Sequence, residues 1–199
     1  MAFIPRSATL IVTLACAGCV AIPMQAYVAD AAEGSPVYEQ CSFNSSVPVG
    51  VKVAQPGIEA VVSIVQHTGR GFVAVQFDVP PGKTLVLRRD SIRIDARNAE
   101  PAVQATIANI NPARPAVYDD PPAIRKLLLP VDTPLQGGRI NAGAASSNKH
   151  YWIAAPFEGW LAGDVWITLP TFTINGVEAS FREIQFHRRF MIGTALFNC

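Results

Sequence analysis

His67, His150 and His187, with the carboxylate pair Asp119-Asp120, are the side chains in this sequence best suited to move protons or hold a metal ion. Three separated imidazoles can converge on a catalytic zinc. An acidic pair can supply a general acid and a general base. Neither set shows a spacing that demands such chemistry. His67 opens the turn-like run His67-Thr68-Gly69-Arg70-Gly71, His150 follows a glycine- and serine-rich stretch, and His187 begins His187-Arg188-Arg189 near the C-terminus. Asp119-Asp120 leads into Pro121-Pro122, where aspartate serves the local hydrogen bonds of a turn. The plainer reading is three surface imidazoles and one proline turn, with no metal site. No G-x-S-x-G, H-E-x-x-H, phosphate-binding loop, C-x-x-C or EF-hand spacing occurs. The chain therefore reads as a non-enzyme without a cofactor. The competing reading is a periplasmic hydrolase using His67, His150 and Asp119/Asp120.

Two further groups deserve a role. Arg88, Arg89, Arg93 and Arg97 alternate with Asp90 and Asp95, which suits an outer strand face that neutralises itself. The run Tyr151-Trp152-Ile153-Ala154-Ala155-Pro156-Phe157-Glu158-Gly159-Trp160 is the best candidate for contact with a partner, because Tyr and Trp are enriched where surfaces bind. His150, Tyr151, Trp152 and Trp160 are the residues expected to carry it. The same aromatics are also natural core material, and the sequence leaves both roles open.

The elements that would position these residues are short. Sixteen prolines and fourteen glycines, without period, cut the 199 residues into segments that suit strands and turns. Phe72 to Val79 alternates, with Val73, Val75, Phe77 and Val79 on one face and Ala74, Gln76 and Asp78 on the other, as in a strand with one face buried. Val61 to Val65 precedes it as another strand. Pro80-Pro81-Gly82-Lys83 is a turn, and Leu85, Leu87, Ile92 and Ile94 continue the pattern across a kink at 88–90. Asn175-Gly176 fits a type I′ hairpin, whose two central residues need positive φ. Folding there pairs Ile174 with Val177, Phe172 with Ala179 and Thr173 with Glu178, apolar on one face and polar on the other. Carried further, the register pairs Ile167 with Ile184 and Val165 with Phe186, but on the opposite face. The hairpin must therefore bend near Pro170 and pass from one layer to another.

These patterns predict an all-β fold: an antiparallel β-sandwich of about eight to ten strands, immunoglobulin-like in architecture. A closed barrel is the alternative. Residues 123–129 are the one stretch that admits a short helix, and 136–149 reads as a long flexible loop, of a kind that is usually functional or disordered.

The N-terminus has the plan of an export signal: Arg6, an apolar run from Ala8 to about Met24, then small residues. Ala17-Gly18-Cys19 resembles the lipobox of bacterial lipoproteins, with Cys16 as the alternative acceptor. The resemblance covers only about the first twenty residues, and position 16 is cysteine where the motif carries leucine. It implies a diacylglyceryl (palmitate-type) anchor on Cys19 and, with Val20 following, residence on the periplasmic face of the outer membrane. Cleavage after Ala31 by the ordinary peptidase would instead give a soluble periplasmic or secreted protein. Export makes a disulfide between Cys41 and Cys199 the default; a Cys199 thiol bridging to a partner is its rival. That pairing favours Cys19 as the acyl site, since acylating Cys16 would leave Cys19 an odd thiol.

The expected organisation is a signal peptide over 1–19, a tether over 20–40 and a single sandwich domain over 41–199. Loss of Arg6 with the signal leaves 15 basic against 15 acidic residues. That balance argues against nucleic acid, which demands a positive stripe. The expected function is a lipid-anchored envelope protein that binds or scaffolds a protein partner, as an inhibitor or immunity lipoprotein would.

Overall fold

The computed structural model describes residues 21–30, 32–38, 48–67, 70–97, 101–107, 109–111, 132–138, 148–158 and 161–194. Cys16, Cys19, Cys41, Cys199, Asp119, Asp120, Trp160 and the stretch 123–129 lie outside them, and with them the expected disulfide and helix. In chain order the strands are β1 (Ala21–Ala29), β2 (Ser35–Tyr38), β3 (Pro48–Gln55), β4 (Ile58–His67), β5 (Arg70–Val79), β6 (Thr84–Leu87), β7 (Ser91–Asp95) and β8 (Val103–Thr106). They continue as β9 (Asn109–Asn111), β10 (Leu135–Gln136), β11 (Lys149–Glu158), β12 (Val165–Thr168), β13 (Phe172–Ile174), β14 (Val177–Ala179) and β15 (Ile184–Thr194). The fold is the expected all-β antiparallel sandwich, with fifteen strands among the described residues where eight to ten were anticipated.

One layer is the six-stranded sheet β2-β3-β4-β5-β11-β9; facing it are a five-stranded sheet, β1-β15-β12-β7-β8, and a four-stranded sheet, β10-β6-β13-β14. The last two are linked through a crease. β7 pairs with β12 and β6 pairs with β13, and between the two ladders the Arg88 N–H donates to the Thr171 carbonyl at 2.9 Å. Both chains cross the crease where the sequence marks it, at the 88–90 kink and at Pro170. The register read from the sequence holds on each side: Phe172 opposite Ala179 and Ile174 opposite Val177, then Ile167 opposite Ile184 and Val165 opposite Phe186.

Period-two burial explains why these segments are strands. Val73, Val75, Phe77 and Val79 of β5 are buried, as are Tyr151, Ile153, Ala155 and Phe157 of β11 beside it. From the opposite layer Leu85, Leu87, Ile92, Ile94, Val165, Ile167, Ile184 and Phe186 close the same core. Gly71 lies opposite Phe157, and a Cβ there would sit 2.3 Å from the Phe157 ring, so only glycine lets that ring cover the end of the sheet. At the β13–β14 hairpin Asn175 and Gly176 take φ of 50° and 83°, the conformation the turn requires. Asn175 does more than turn the chain. Its Oδ1 accepts the Thr84 N–H at 2.8 Å and its N–H donates to the Thr84 carbonyl at 2.9 Å, which ties the hairpin tip to the start of β6.

Two expectations need correction. Residues 21–29 are not a tether: β1 pairs with β15 over its whole length, from Ala21 opposite Thr194 to Ala29 opposite Phe186. Tyr27 is buried and donates its hydroxyl to the Leu161 carbonyl at 2.7 Å, and β2 adds a second strand inside the same span. The polar face assigned to Thr173 is also covered. Thr173 is buried, whereas Val177, on the expected apolar face, is 71% exposed.

Candidate functional site

The two histidines of the hydrolase reading sit at opposite ends of one sheet. β5 runs from Arg70, opposite His67, to Asp78, opposite His150, a span of about 26 Å at the rise of a strand. That distance separates them from any common substrate. His187 belongs to the other layer, on β15. Among the described residues no three His, Cys, Asp or Glu are grouped to hold a metal ion.

Of the residues expected to meet a partner, His150 and Trp152 are on the outward face of β11 and Tyr151 is not. Tyr151 is 3% exposed, turned into the core by strand alternation, and its hydroxyl donates to the Gln136 carbonyl at 2.8 Å. It anchors the end of β10 and cannot reach a partner. His150 lies beside Asp78 and Gln76, the outward residues of β5. The imidazole Nδ1 is 2.5 Å from Asp78 Oδ1 and 3.1 Å from Gln76 Nε2, and Gln76 Nε2 donates to the same carboxylate oxygen at 2.7 Å. Asp78 thus holds Nδ1 as the donor and orients the ring, which leaves the Nε2 edge without a hydrogen bond among the described residues. Trp152 stands opposite Gln76 on one side and Asn111 on the other. The result is a polar and aromatic patch at the sheet end where Lys149 donates its N–H to the Gly138 carbonyl at 2.8 Å.

A second cluster could not be foreseen from spacing. His187 of β15 lies between two carboxylates, with Nδ1 2.7 Å from Asp164 Oδ2 and Nε2 3.4 Å from Asp30 Oδ2. Each carboxylate is itself held by the backbone. Asp164 Oδ1 accepts the Arg188 N–H at 3.1 Å, and Asp30 Oδ1 accepts the Ala32 N–H at 2.9 Å. The Asp164 hydrogen bond is the main reason the imidazole is raised above its ordinary pKa; burial works against it, Asp30 adds to it, and Arg189 opposes it. Asp164 is lowered chiefly by its bond to His187, and Asp30 chiefly by the Ala32 N–H and then by His187. Both imidazole nitrogens are engaged, so the cluster joins β1, the 161–164 segment and β15 rather than presenting a catalytic base.

The direction of that cluster's effect follows from linkage. A histidine raised in the folded state stabilises it fully below the ordinary imidazole pKa and loses that contribution as pH rises through the raised value. Wild-type protein is thus expected to lose denaturant resistance as pH rises above the ordinary imidazole value, a slope that His187→Gln flattens. Urea midpoints across that rise check it. Parallel slopes for the two proteins would show that the imidazole does not carry the effect.

The five-stranded sheet has a marked polarity. Ile184, at the start of β15, lines a small cleft with Ala54 and Gln55, at the end of β3 that lies toward Asp78 and His150. Val28, opposite His187, lines another with Pro48 and Gly50, at the far end of β3. β15 therefore runs away from the His150 patch. The expected neutral arginine face is present. Arg93 bonds Asp95 at 2.6 Å, while Arg97 pairs with Glu183 and stacks 4.1 Å over Trp166. No protein-family model, curated protein or solved structure matches the chain. Among the described residues no helix is long and apolar enough to cross a membrane.

Proposed function

We propose that this is an exported envelope lipoprotein, acylated on Cys19 and held at the periplasmic face of the outer membrane, that binds a protein partner as an inhibitor or immunity protein does. The observation that supports it most is the pairing of β1 with β15. Cleavage after Ala31 would strip this strand, with the buried Tyr27, from the domain. Cleavage before Cys19 keeps it. Val20 alone separates Cys19 from Ala21, so acyl chains on Cys19 would hang within about 7 Å of a paired strand. The anchor is then a short clamp, not a leash.

Partner contact is assigned to the other end of the molecule, where His150 and Trp152 lie at the sheet end that carries Gly138 and Lys149. A binding role there fits a cluster whose oriented imidazole edge and aromatic neighbour suit hydrogen bonding and stacking with a protein surface. The fold narrows the test. Leu135 is buried, and Gln136 pairs with Thr84, so removing 136–149 would damage the sheet itself. Replacing only residues 139–147 with Asn-Gly is expected to leave the unfolding midpoint unchanged. Capture from envelope extracts of the protein that the wild type retains should fall at least about tenfold, a loss equal to about 1.4 kcal/mol. His150→Ala should weaken capture of the same protein. Mass spectrometry of the bait should find diacylglyceryl-Cys19 at its N-terminus. Undiminished capture by the excised variant removes the binding assignment, and an N-terminus at Asp30 or beyond removes the anchor.

A further inference from the structure

The face of β15 that enters the core does not end where the core ends. Ile184 and Phe186 are buried, Arg188 is half-buried, and Phe190, next on the same face, is 70% exposed. The reason is topological. β12 pairs with β15 only over residues 184–186, and the Asp164 carboxylate reaches two residues further, to the Arg188 N–H. Beyond that point, among the described residues, β1 is the sole strand paired with β15, from Tyr27 opposite Arg188 to Ala21 opposite Thr194. The two strands form a ribbon about 23 Å long past His187, at the rise of a strand.

The composition of this ribbon changes along its length. Near the domain it carries Arg188 and Arg189, with Arg188 bonded to Gln25 across the ladder. Toward its free end the ladder pairs are Met24 with Met191, Pro23 with Ile192 and Ile22 with Gly193, after Gln25 with Phe190. Among the described side chains of the ribbon, Phe190 is the exposed large apolar one, and it follows the basic pair Arg188-Arg189. The sequence leading into this end suggests the occupant, because Ala21 follows Val20 and Cys19, the residue read above as acylated.

We propose that the free end of the β1–β15 ribbon is a membrane-contact surface, with Phe190 seated at the headgroup–acyl boundary of an anionic phospholipid bilayer and Arg188 and Arg189 on its phosphates. The inference takes its bilayer from the reading of Cys19 as the acylated residue, but the surface itself stands on the exposure of Phe190 and the two arginines. Paired strands suit this depth. The ribbon satisfies the backbone groups between its strands internally, and those on its outer edges stay within reach of water and headgroups. Apolar side chains with adjacent basic ones are the composition by which peripheral elements hold an anionic interface. The ribbon would also fix orientation. β15 runs away from Asp78 and His150, so docking its end directs the His150 patch away from the lipid.

The test places a reporter at each end of the molecule. Full-length acylated protein carrying Phe190→Trp, and separately Val177→Trp, is reconstituted into phosphatidylethanolamine–phosphatidylglycerol vesicles with shallowly brominated acyl chains. Val177 is as exposed as Phe190 and lies at the hairpin tied to Thr84, toward the His150 end. The added Phe190→Trp emission, relative to the parent, should be quenched about twofold or more, and that from Val177→Trp should be unaffected. Replacing phosphatidylglycerol with phosphatidylcholine should reduce the quenching. Equal responses at the two sites, in protein whose N-terminal acylation is verified, overturn the contact surface and leave the anchor standing. Quenching of Phe190→Trp in protein without acylation keeps the surface and removes the anchor. A Phe190→Trp signal shielded by a co-purifying protein instead of lipid also overturns the proposal.

Discussion

Tyr27→Ala is expected to lower the unfolding free energy by about 3–5 kcal/mol, the usual cost of truncating a buried aromatic side chain. Were residues 20–40 a tether, the same substitution would stay within about 0.5 kcal/mol of wild type. The large effect has two sources. The ring is 6% exposed within the core shared by both layers, and its hydroxyl satisfies the Leu161 carbonyl across the chain. Tyr27→Phe separates them: it keeps the ring, leaves that carbonyl without its donor and should cost about 1–3 kcal/mol. Burial also raises the phenol's pKa above its ordinary value, so the hydroxyl donates throughout the working pH range. Denaturant titration of the three proteins decides between strand and tether. A near-zero change for Tyr27→Ala would return residues 21–29 to the tether reading, and the clamp geometry proposed for Cys19 would fall with it.

Why β1 was hidden is instructive. Ala21-Ile22-Pro23-Met24-Gln25-Ala26-Tyr27-Val28-Ala29 has small residues, a proline and weak alternation, all marks of a spacer. Those marks apply to strands that must bury a full face. β1 is an edge strand of its sheet, where proline is tolerated because one side of the ladder makes no hydrogen bonds. Its stability comes from one deep residue, Tyr27, and from a partner more than a hundred and fifty residues away. The Asp30–His187–Asp164 cluster was illegible for the same reason. It depends on pairing β1 with β15, and no local pattern announces that contact. Tyr151 failed differently: its type suits both core and contact, and only the phase of β11 decides which.

Where a contact is local, the sequence was enough. The Asn175-Gly176 turn set a register that the structure keeps through Ile174–Val177 and Phe172–Ala179, and the apolar phase reversal at Leu169-Pro170 located the crease that divides two sheets. Period-two hydrophobicity does not tell how many faces a strand buries. Alternation places Thr173 on the polar face of its hairpin, opposite Glu178 and beside Val86, yet Thr173 is buried. The outward patch on β5 was half legible: alternation put Gln76 and Asp78 on one face, but the β5–β11 register was needed to bring His150 against them.

Phe172→Ala should be the most damaging change in the creased layer, again by about 3–5 kcal/mol. Phe172 has no exposed surface and lies first in β13, just past the crease. Its ring centroid is 5.1 Å from that of Phe181 and 6.2 Å from that of Phe77, at a tilted and an edge-on angle that aromatic pairs favour. Phe77 belongs to β5 in the facing sheet, so this trio joins the small sheet to the six-stranded one. Losing the central ring leaves a cavity that rigid strands on both sides cannot close, and cavity volume adds to the lost transfer energy. Phe172→Leu, which retains most of the volume, should cost under about 1.5 kcal/mol. Val177→Ala, at the exposed end of the same hairpin, should cost under about 0.5 kcal/mol. Because β6 pairs with β13 at Leu87–Phe172 and Val86–Thr173, amide exchange in those ladder positions should rise more in Phe172→Ala than in β12 and β15. A uniform rise across both sheets would show that the crease is no boundary and that the two sheets open as one unit.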